Sequence, residues 1–184
     1  MKRIEALTTV AKEAGDSLIV CNLGDPAREL YASADRDENF YMLGSMGLAS
    51  SIGLGIALAL NGRMVIALDG DGSVLMNLGS LCTIAARAPE NYLLVIIDNG
   101  VYGSTGGQPS PTSGRTNLVA LAKAAGNRNV RSVSTLEELA SAIKKMRSGI
   151  LVARVEPGGA DSPLIDLPAK DIMRRFVRAA RPSG

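Results

Sequence analysis

The chain has 184 residues, which is long enough for one domain with a sizeable hydrophobic core. Its 20 lysines and arginines and 18 acidic residues leave a net charge of +2, and no basic stripe with interleaved aromatic residues is present, which argues against a nucleic-acid-binding module. The sequence has no histidine, which excludes Ser/His/Asp and Cys/His nucleophiles, histidine-ligated zinc and histidine acid–base catalysis, so an enzyme built on this chain would take most of its chemistry from a cofactor or a partner chain.

Hydrophobic periodicity predicts strands that alternate with helices along the chain. In chain order, the predicted elements are the helix Lys2–Ala14, strand Leu18–Cys21, helix Pro26–Ala32, polar loop Asp35–Asn39, strand-like Phe40–Met42, helix Met46–Leu60, strand Met64–Leu68, helix Val74–Ala86, strand Tyr92–Ile97, long polar loop Asn99–Asn117, helix Leu118–Ala125, strand Val130–Val133, helix Leu136–Met146, strand Ile150–Val155 and a last helix near Ala169–Ala180. Such alternation predicts an α/β fold, a single doubly wound domain over residues 1–184, with a parallel sheet covered by helices on both faces.

Three further features concern the cellular setting. Cys21, in a predicted strand, and Cys82, in a predicted helix, are expected to be buried, reduced thiols of a cytoplasmic protein. Residues 1–15 scatter charges through a helical pattern, unlike a signal peptide. Segment Leu43–Leu60 is long and apolar, but its glycine, alanine and serine content predicts a tightly packed buried helix and no membrane span.

Polar residues follow two neighbouring apolar runs where each predicted strand ends. The first run stops at the tetrapeptide DGDG, which contains Asp71, and the second stops at DNG, which contains Asn99, 28 positions later. That spacing is the length of one βαβ unit, so both side chains are expected at the carboxyl edge of the sheet, where α/β proteins bind ligands. Their oxygens suit Mg²⁺ or Ca²⁺, and the adjoining glycines let phosphate approach backbone N–H groups. A metal–diphosphate site is one interpretation, and turn chemistry after a strand is the other that the spacing alone allows.

Longer stretches of sequence favour the metal–diphosphate interpretation. The segments FYMLGSMGLASSIGLGIALAL from Phe40, GDGSVLMNLGSLCTIA from Gly70 and DNGVYGSTGGQP from Asp98 resemble the family of sulfopyruvate and phosphonopyruvate decarboxylases, which use thiamine diphosphate. The GDG tripeptide with its later asparagine is similar to the thiamine-diphosphate fingerprint, and the GSMG segment begins 27 residues before Asp71. The resemblance covers nearly the whole chain and implies thiamine diphosphate and Mg²⁺ as cofactors.

The resemblance implies roles for the residues of the diphosphate site. Asp71, Asn99 and the backbone carbonyl of Val101 would ligate Mg²⁺, with two diphosphate oxygens and a water completing the octahedron that this ion demands. Backbone N–H groups of Gly72 and Ser73, at the start of the following helix, would hold the diphosphate.

The remaining site residues also come from the resemblance. The further cofactor-binding residues that it implies are Gly44, Ser45, Met46, Gly70 and Tyr102. The Gly44 carbonyl would accept a hydrogen bond from the 4′-amino group of the cofactor, and Met46 would support the bent cofactor from below. Ser104 and Thr105, on the long polar loop, would be the catalytic residues placed near the substrate.

The chain matches only the diphosphate-binding domain of this family. The pyrimidine-binding domain carries a glutamate that protonates the aminopyrimidine ring, and no segment here resembles it, so the resemblance implies a hetero-oligomer with a pyrimidine-binding α subunit that supplies this glutamate. Asp98 stands where many members have a first asparagine, while the ligand position, Asn99, is retained. Asp69 is expected to be structural or to support the residues that bind the metal, and Arg115 either meets an anionic sulfonate or is a solvated surface residue.

The implied activity is a carbon–carbon lyase reaction on a small anionic 2-oxo acid. The expected reaction converts 3-sulfopyruvate to sulfoacetaldehyde and CO₂, in coenzyme M biosynthesis or in sulfonate breakdown. Phosphonopyruvate is an open alternative, because nothing in the sequence separates a sulfonate from a phosphonate. A carboligase or oxo-acid oxidoreductase subunit and a non-catalytic binding protein are further alternatives, although two isolated cysteines cannot hold an iron–sulfur cluster.

Overall fold

The computed structural model describes residues 1–60 and 62–181, so residues 61 and 182–184 of the predicted domain lie outside the described part. The helices are α1 (Arg3–Glu13), α2 (Asp25–Ala34), α3 (Ala49–Ala59), α4 (Asp71–Met76), α5 (Gly79–Arg87), α6 (Leu118–Ala124), α7 (Leu136–Lys145) and α8 (Ala169–Ala180). The strands are β1 (Leu18–Cys21), β2 (Asn39–Tyr41), β3 (Val65–Gly70), β4 (Tyr92–Asp98), β5 (Val101–Tyr102), β6 (Gln108–Pro109), β7 (Val130–Val133) and β8 (Gly149–Arg154).

Six strands form one parallel sheet in the order β2-β1-β3-β4-β8-β7, and β5 pairs with β6 in a short antiparallel hairpin. The central strands β3 and β4 are buried along nearly their whole length, as strands covered on both faces must be. The predicted α/β fold with a parallel sheet is therefore confirmed.

Apolar side chains fill the space on both faces of the sheet. One layer contains Leu7 of α1 and Leu139 of α7, and the other contains Leu54 of α3 and Leu81 of α5. Because successive side chains of a strand point to opposite faces, β3 contributes to both layers. The two layers fix the orientation of the strands, and with it the edge at which β1, β3 and β4 end side by side.

The predicted single helix Val74–Ala86 is wrong, because α4 and α5 are separate helices. Asn77 interrupts them with a non-helical backbone conformation, φ −141° and ψ 53°. Its side-chain amide donates a hydrogen bond to the Gly47 carbonyl at 2.9 Å. This contact comes from a distant part of the chain and stabilises the break, so the local helical pattern alone could not reveal it.

The predicted helix from Met46 begins later, at Ala49. Ser45 and Gly47 have positive φ angles of 66° and 93°, which a right-handed helix does not allow. The GSMG segment is therefore a tight turn that leads from β2 into α3.

The expectation that both cysteines are buried holds for Cys21 and is wrong for Cys82, which is exposed. The face of α5 that packs on the sheet carries Ser80, Leu81 and Ile84. Cys82 lies on the opposite, outer face of α5. Its position on this amphipathic helix therefore exposes it, although free cysteines are usually buried.

Within residues 1–60 and 62–181, no helix is both long and apolar enough to cross a membrane. The apolar segment Leu43–Leu60 contains the 11-residue helix α3, which packs on the sheet.

Candidate functional site

A cleft opens at the carboxyl edge of the sheet, where β3 and β4 end next to β1. The predicted site residues that line it are Met46, Gly70, Asp71, Gly72, Ser73, Asn99, Val101, Tyr102, Ser104 and Thr105. Gly44 and Ser45, which were also predicted to belong to the site, do not line this cleft. The carboxyl edge of a parallel sheet is the place where α/β folds bind ligands, because the loops and helix starts there offer free backbone N–H groups.

Asp71 is a buried carboxylate surrounded by hydroxyl groups. Its Oδ2 accepts a hydrogen bond from the Ser110 hydroxyl. The Thr112 hydroxyl lies 2.9 Å from Asp71 Oδ2 and 2.7 Å from Asp98 Oδ1, yet it has one proton to donate to these two carboxylates. This concentration of negative charge, largely out of water, suits a divalent cation held by hard oxygen atoms.

Asn99 is buried at the end of β4, and its Oδ1 accepts a hydrogen bond from the Val101 N–H at 3.3 Å. Within the described part of the chain, no group of three or more His, Cys, Asp or Glu side chains is arranged to hold a metal. The predicted ligands at this edge therefore offer one carboxylate from Asp71, one side-chain amide from Asn99 and the backbone carbonyl of Val101. Such a set fits Mg²⁺, which keeps several waters or phosphate oxygens in its coordination shell.

Gly72 lies directly beneath the ring of Tyr102. A Cβ placed on Gly72 would be 2.3 Å from Tyr102 Cε1, so a larger residue here would force the Tyr102 ring to move. Residue 72 belongs to the first turn of α4, whose N–H groups lack partners within the helix. Because α4 has only six residues, the individual N–H groups, more than the dipole of the helix, make this end suitable for an anion.

The turn that carries Met46 is fixed to the segment that follows β3. The Gly47 N–H donates to Ser73 Oγ at 2.8 Å, and the Asn77 amide holds the Gly47 carbonyl from the other side. Ser45 has φ of 66°, a left-handed conformation that is rare for a residue with a side chain and is concentrated at functional sites. The position of Met46 at the cleft is thus set by contacts with the GDG segment.

Asp69 is buried behind the cleft, and its surroundings support the structural role predicted for it. Burial raises the pKa of its carboxyl to about 6, and the nearby Ser73 hydroxyl and the backbone N–H groups of Gly70 and Ser50 act against that rise. Its Oδ1 accepts a hydrogen bond from the Gly70 N–H at 3.0 Å. The Gly70 N–H therefore holds this carboxyl at the end of β3, close to Ser73.

The long polar loop folds over the cleft as the β5–β6 hairpin and a short 3₁₀ turn that contains Ser104 and Thr105. Both residues are exposed and line the cleft, and Thr105 Oγ1 lies 3.2 Å from Gln108 Oε1. Arg115 instead lines a separate apolar groove with Leu75 and other residues of α4 and α6. Its position favours the interpretation of Arg115 as a surface residue.

Asn22 is a site residue that the sequence reasoning missed. It is buried at the end of β1 and lines the cleft, and its Oδ1 accepts a hydrogen bond from the Leu23 N–H at 2.9 Å. Its Nδ2 lies 3.9 Å from a Cβ placed on Gly70, at the end of β3. The available signal was a third polar residue directly after a predicted strand, but a lone asparagine has no spacing partner that would distinguish it from a turn residue.

Arg3 and Asp25 are two further cleft residues that were not predicted. The Arg3 guanidinium is buried and donates to both carboxylate oxygens of Glu29, at 2.9 and 2.8 Å, while Asp25 lies 3.5 Å away. Burial acts to lower the pKa of Arg3, but the hydrogen bond and charge of Glu29 outweigh it and raise the pKa. Through Arg3 and Asp25, this network contributes to the lining of the cleft.

The comparisons with known proteins identify the class. Residues 24–155 match the family model described as thiamine pyrophosphate enzyme, C-terminal TPP binding domain. The chain belongs to this family of thiamine pyrophosphate (thiamine diphosphate) enzymes.

Within that family, the chain is similar to particular decarboxylases. It is 45% identical to the sulfopyruvate decarboxylase subunit beta of Methanocaldococcus jannaschii, over 99% of this chain and 98% of that protein. It is 42% identical to the sulfopyruvate decarboxylase of Methanosarcina acetivorans, over 96% of this chain but only 46% of that longer protein. The phosphonopyruvate decarboxylase of Streptomyces viridochromogenes is 46% identical over 77% of this chain and 35% of its own length. The resemblance found in the sequence is confirmed.

A solved structure supports the fold. The thiamine diphosphate-dependent 4-hydroxybenzoylformate decarboxylase of Rhodococcus jostii RHA1 superimposes with a TM-score of 0.70 at 23% identity, over 88% of this chain and 33% of that chain. The fold described above therefore corresponds to about one third of that longer chain.

Proposed function

We propose that this chain, as one domain over residues 1–184, is the diphosphate-binding subunit of a thiamine-diphosphate-dependent decarboxylase. The reaction converts 3-sulfopyruvate to sulfoacetaldehyde and CO₂. The observation that carries this proposal is the cleft that brings Asp71, Asn99 and Met46 together in a chain similar over its full length to a sulfopyruvate decarboxylase subunit beta.

The donor set of the cleft supports Mg²⁺ as the second cofactor. Asp71, Asn99 and the Val101 carbonyl would hold the ion, and the N–H groups of Gly72 and Ser73 would hold the diphosphate. When bound, thiamine diphosphate supplies the electron sink into which a 2-oxo acid loses CO₂.

The other residues of this chain orient the cofactor and exclude water. Met46 offers an apolar surface on a turn that is held by Ser73, and the Tyr102 ring covers Gly72 at the diphosphate end. Ser104 and Thr105, on the loop that folds over the cleft, bring hydroxyl groups to its open side, where they are positioned to donate hydrogen bonds to an anionic substrate.

The chain requires a partner because it matches about half of the single-chain sulfopyruvate decarboxylase of Methanosarcina acetivorans. We propose that a pyrimidine-binding α subunit supplies the remaining half and the glutamate that activates the cofactor. The enzyme is then a hetero-oligomer whose cofactor lies between the two chains.

The test is a steady-state assay of this chain co-expressed with the protein of the same genome that resembles the unmatched part of the single-chain relative. We expect aldehyde and CO₂ from 3-sulfopyruvate only when both chains, thiamine diphosphate and Mg²⁺ are present, with each chain alone as control. Full activity after removal of all divalent cations would contradict the proposed metal site.

Phosphonopyruvate decarboxylation is the second candidate, because two phosphonopyruvate decarboxylases are 46% identical to this chain over 77% of its length. The same assay with both oxo acids compares them directly. A higher kcat/KM for phosphonopyruvate would transfer the assignment to that substrate.

A further inference from the structure

Two hydroxyl groups of the long polar loop contact the carboxylate of Asp71, and both contact the same oxygen. Ser110 Oγ donates to Asp71 Oδ2, and Thr112 Oγ1 lies 2.9 Å from that atom. In the part of the chain that the structure describes, no hydrogen-bond donor contacts the other oxygen, Oδ1. Asp71 therefore has one engaged oxygen and one open oxygen where it lines the cleft.

The backbone fixes the position of Ser110 independently of this contact. Its side chain is buried, and its N–H donates to the Gly100 carbonyl at 2.8 Å. Gly100 stands between Asn99 and Val101, the other two residues proposed to ligate Mg²⁺. The Ser110 hydroxyl is thus held beside Asp71 by the segment that carries the remaining proposed ligands.

Thr112 engages a second carboxylate at the same place. Its Oγ1 lies 2.7 Å from Asp98 Oδ1 and 2.8 Å from Ser110 Oγ. The two hydroxyl groups therefore occupy one oxygen of Asp71 and one oxygen of Asp98. These contacts reduce the number of carboxylate oxygens that are available to a cation, although two acidic side chains lie close together.

The number of available carboxylate oxygens distinguishes the two ions that the sequence left open. Mg²⁺ demands a near-ideal octahedron and keeps waters or phosphate oxygens in it, so one oxygen of one carboxylate is enough. Ca²⁺ takes about six to eight oxygens and accepts both oxygens of one carboxylate. A carboxylate with one oxygen held by hydroxyl groups therefore suits Mg²⁺ better than Ca²⁺.

We propose that Ser110 and Thr112 are positioning residues that hold Asp71 as a one-oxygen ligand, and that they thereby make the site select Mg²⁺ over Ca²⁺. Their contacts with Oδ2 restrict the rotation of the carboxylate and leave Oδ1 for the ion. Groups that orient a metal ligand in this way tune metal affinity without touching the metal. The inference rests on the metal site of the proposed function and adds the residues that decide which ion it takes.

The experiment measures the binding of thiamine diphosphate to the two-chain complex by calorimetry, over a series of Mg²⁺ concentrations and separately of Ca²⁺ concentrations. Ser110→Ala removes the hydroxyl but keeps the backbone hydrogen bond to Gly100. Loss of such an orienting group typically reduces metal affinity about 10- to 100-fold. We expect this loss for Mg²⁺ and a smaller loss for Ca²⁺, because Ca²⁺ gains Asp71 Oδ2 as a further ligand. The ratio of Mg²⁺ affinity to Ca²⁺ affinity should therefore fall at least fivefold.

A neighbouring serine controls for damage to the loop. The Ser113 hydroxyl donates to the Ser110 carbonyl at 2.8 Å, so its one proton does not reach Asp71. Ser113→Ala should therefore leave the affinity ratio within twofold of the wild-type value. A loop that is merely destabilised would lower both affinities together and leave their ratio unchanged.

Conservative substitutions at Thr112 give a second readout. Thr112→Val keeps the branched shape and removes the hydroxyl, and we expect it to lower the affinity ratio, because an oxygen of Asp71 and an oxygen of Asp98 lose their contact. Thr112→Ser keeps the hydroxyl and should retain the wild-type ratio. A ratio that falls equally in both variants would show that the hydroxyl is not the cause and would contradict the inference.

The remaining outcomes separate this inference from the proposed function. A wild-type ratio that Ser110→Ala and Thr112→Val leave unchanged overturns the inference and leaves the proposed function standing. A complex that loses its preference for Mg²⁺ in these variants, but in which the wild type decarboxylates neither oxo acid, supports the inference and refutes the proposed function. A wild type that binds the cofactor equally well with either ion overturns the inference, and one that binds no cofactor with either ion overturns both.

Discussion

Asp71 carries a negative charge in a nearly water-free position, and this charge is its proposed contribution to the site. Asp71→Asn keeps the shape of the side chain but removes the charge that a divalent cation requires. Losing a residue that only supports the ligands of a metal typically reduces metal affinity or activity about 10- to 100-fold. Because Asp71 is a proposed ligand itself, we expect the Mg²⁺-dependent affinity of the two-chain complex for thiamine diphosphate to fall by at least as much. Calorimetric titration of the cofactor at fixed Mg²⁺ measures this change.

The neighbouring carboxylate supplies the control for that experiment. Asp98 lies 2.7 Å from the same Thr112 hydroxyl but is not a proposed ligand. Asp98→Asn should therefore reduce affinity less than Asp71→Asn. Equal affinity of the Asp71→Asn variant and the wild type would refute the metal assignment.

The contact between Gly72 and Tyr102 leads to a second prediction for single residues. Gly72→Ala would place a Cβ 2.3 Å from the Tyr102 ring, so the ring must move. We expect a loss of about 1–3 kcal/mol in the free energy of unfolding, the usual cost of overpacking. The double variant Gly72→Ala/Tyr102→Ala should show a smaller loss than the sum of the two single variants, measured by urea denaturation.

Gly55 offers a matched control for the same substitution. It is exposed in α3, and a Cβ placed there meets no atom within 4 Å among the described residues. Gly55→Ala should therefore be neutral or stabilising by up to about 1 kcal/mol. A loss of stability at position 55 as large as at position 72 would show that steric contact with Tyr102 is not the cause.

At the scale of whole elements, the sequence predicted the strands well, because a short, continuous apolar run between turn residues is typical of a buried parallel strand. β3 and β4 differ from the predicted strands by one or two residues at their ends. The errors came where distant contacts set the backbone. The break at Asn77 and the turn at Ser45 are stabilised by hydrogen bonds from Gly47 to Ser73 and from Asn77 to Gly47. These residues are about 26–30 positions apart, so no local sequence pattern encodes the contacts.

In the candidate site, too, local sequence patterns predicted some residues, while others depend on contacts between distant parts of the chain. The spacing of Asp71 and Asn99 predicted a shared sheet edge, and both residues line one cleft. Asn22 and Arg3 could not be predicted, because their proximity to that cleft depends on β1 lying beside β3 and on the packing of α1. Gly44 and Ser45 do not line the cleft, and Ser45 has a left-handed backbone in the turn that presents Met46, so their binding of the cofactor stays a prediction.

The buried Arg3–Glu29 pair joins α1 to α2, and Glu29 Oε1 also accepts a hydrogen bond from the Ala160 N–H at 2.7 Å. Removing the arginine leaves a buried carboxylate without its partner. We expect Arg3→Met to lower the free energy of unfolding by about 3–5 kcal/mol. Adding Glu29→Met should recover most of that loss, because two buried charges are then replaced by apolar side chains.

A double-mutant cycle in urea tests this coupling. The two single variants and the double variant are compared with the wild type under the same conditions. Additive losses from the two substitutions would show that the pair does not act as a unit. Arg174→Met, which removes an exposed arginine on α8, controls for the loss of positive charge alone.

At the scale of the whole molecule, α8 is tied to the β2 side of the sheet by surface charges. Arg175 donates hydrogen bonds to Asp35 and Asp37, at 2.9 Å each, and Arg178 pairs with Asp37. The hydrogen bond from Arg178 holds the pKa of Asp37 below its ordinary value. Each exposed pair contributes little, at most about 1 kcal/mol, so the tether depends on the group acting together.

The lowered pKa gives the sign of the pH dependence. The ion pairs of Asp37 stabilise the docking of α8 fully above the ordinary pKa of an aspartate. This stabilisation is lost as the pH falls through the lowered pKa that Asp37 has in the folded protein. We expect hydrogen-exchange protection of α8, corrected for intrinsic rates, to be equal at pH 6 and pH 8 and to decrease at pH 3. Arg175→Ala should weaken protection at pH 6 and reduce this acid effect. Protection that is unchanged at pH 3 would rule out the tether.

The proposed position of the cofactor between the two chains implies that subunit docking and cofactor binding are coupled. If the partner completes the cleft, thiamine diphosphate and Mg²⁺ must tighten the association of the two chains by the same factor by which the partner tightens cofactor binding. A factor between about 5 and 150 is typical of such coupling. Sedimentation of the wild-type chains with and without cofactor measures it, and Asp71→Asn should remove it. Association that is independent of the cofactor would mean that the cleft binds thiamine diphosphate without help from the partner chain.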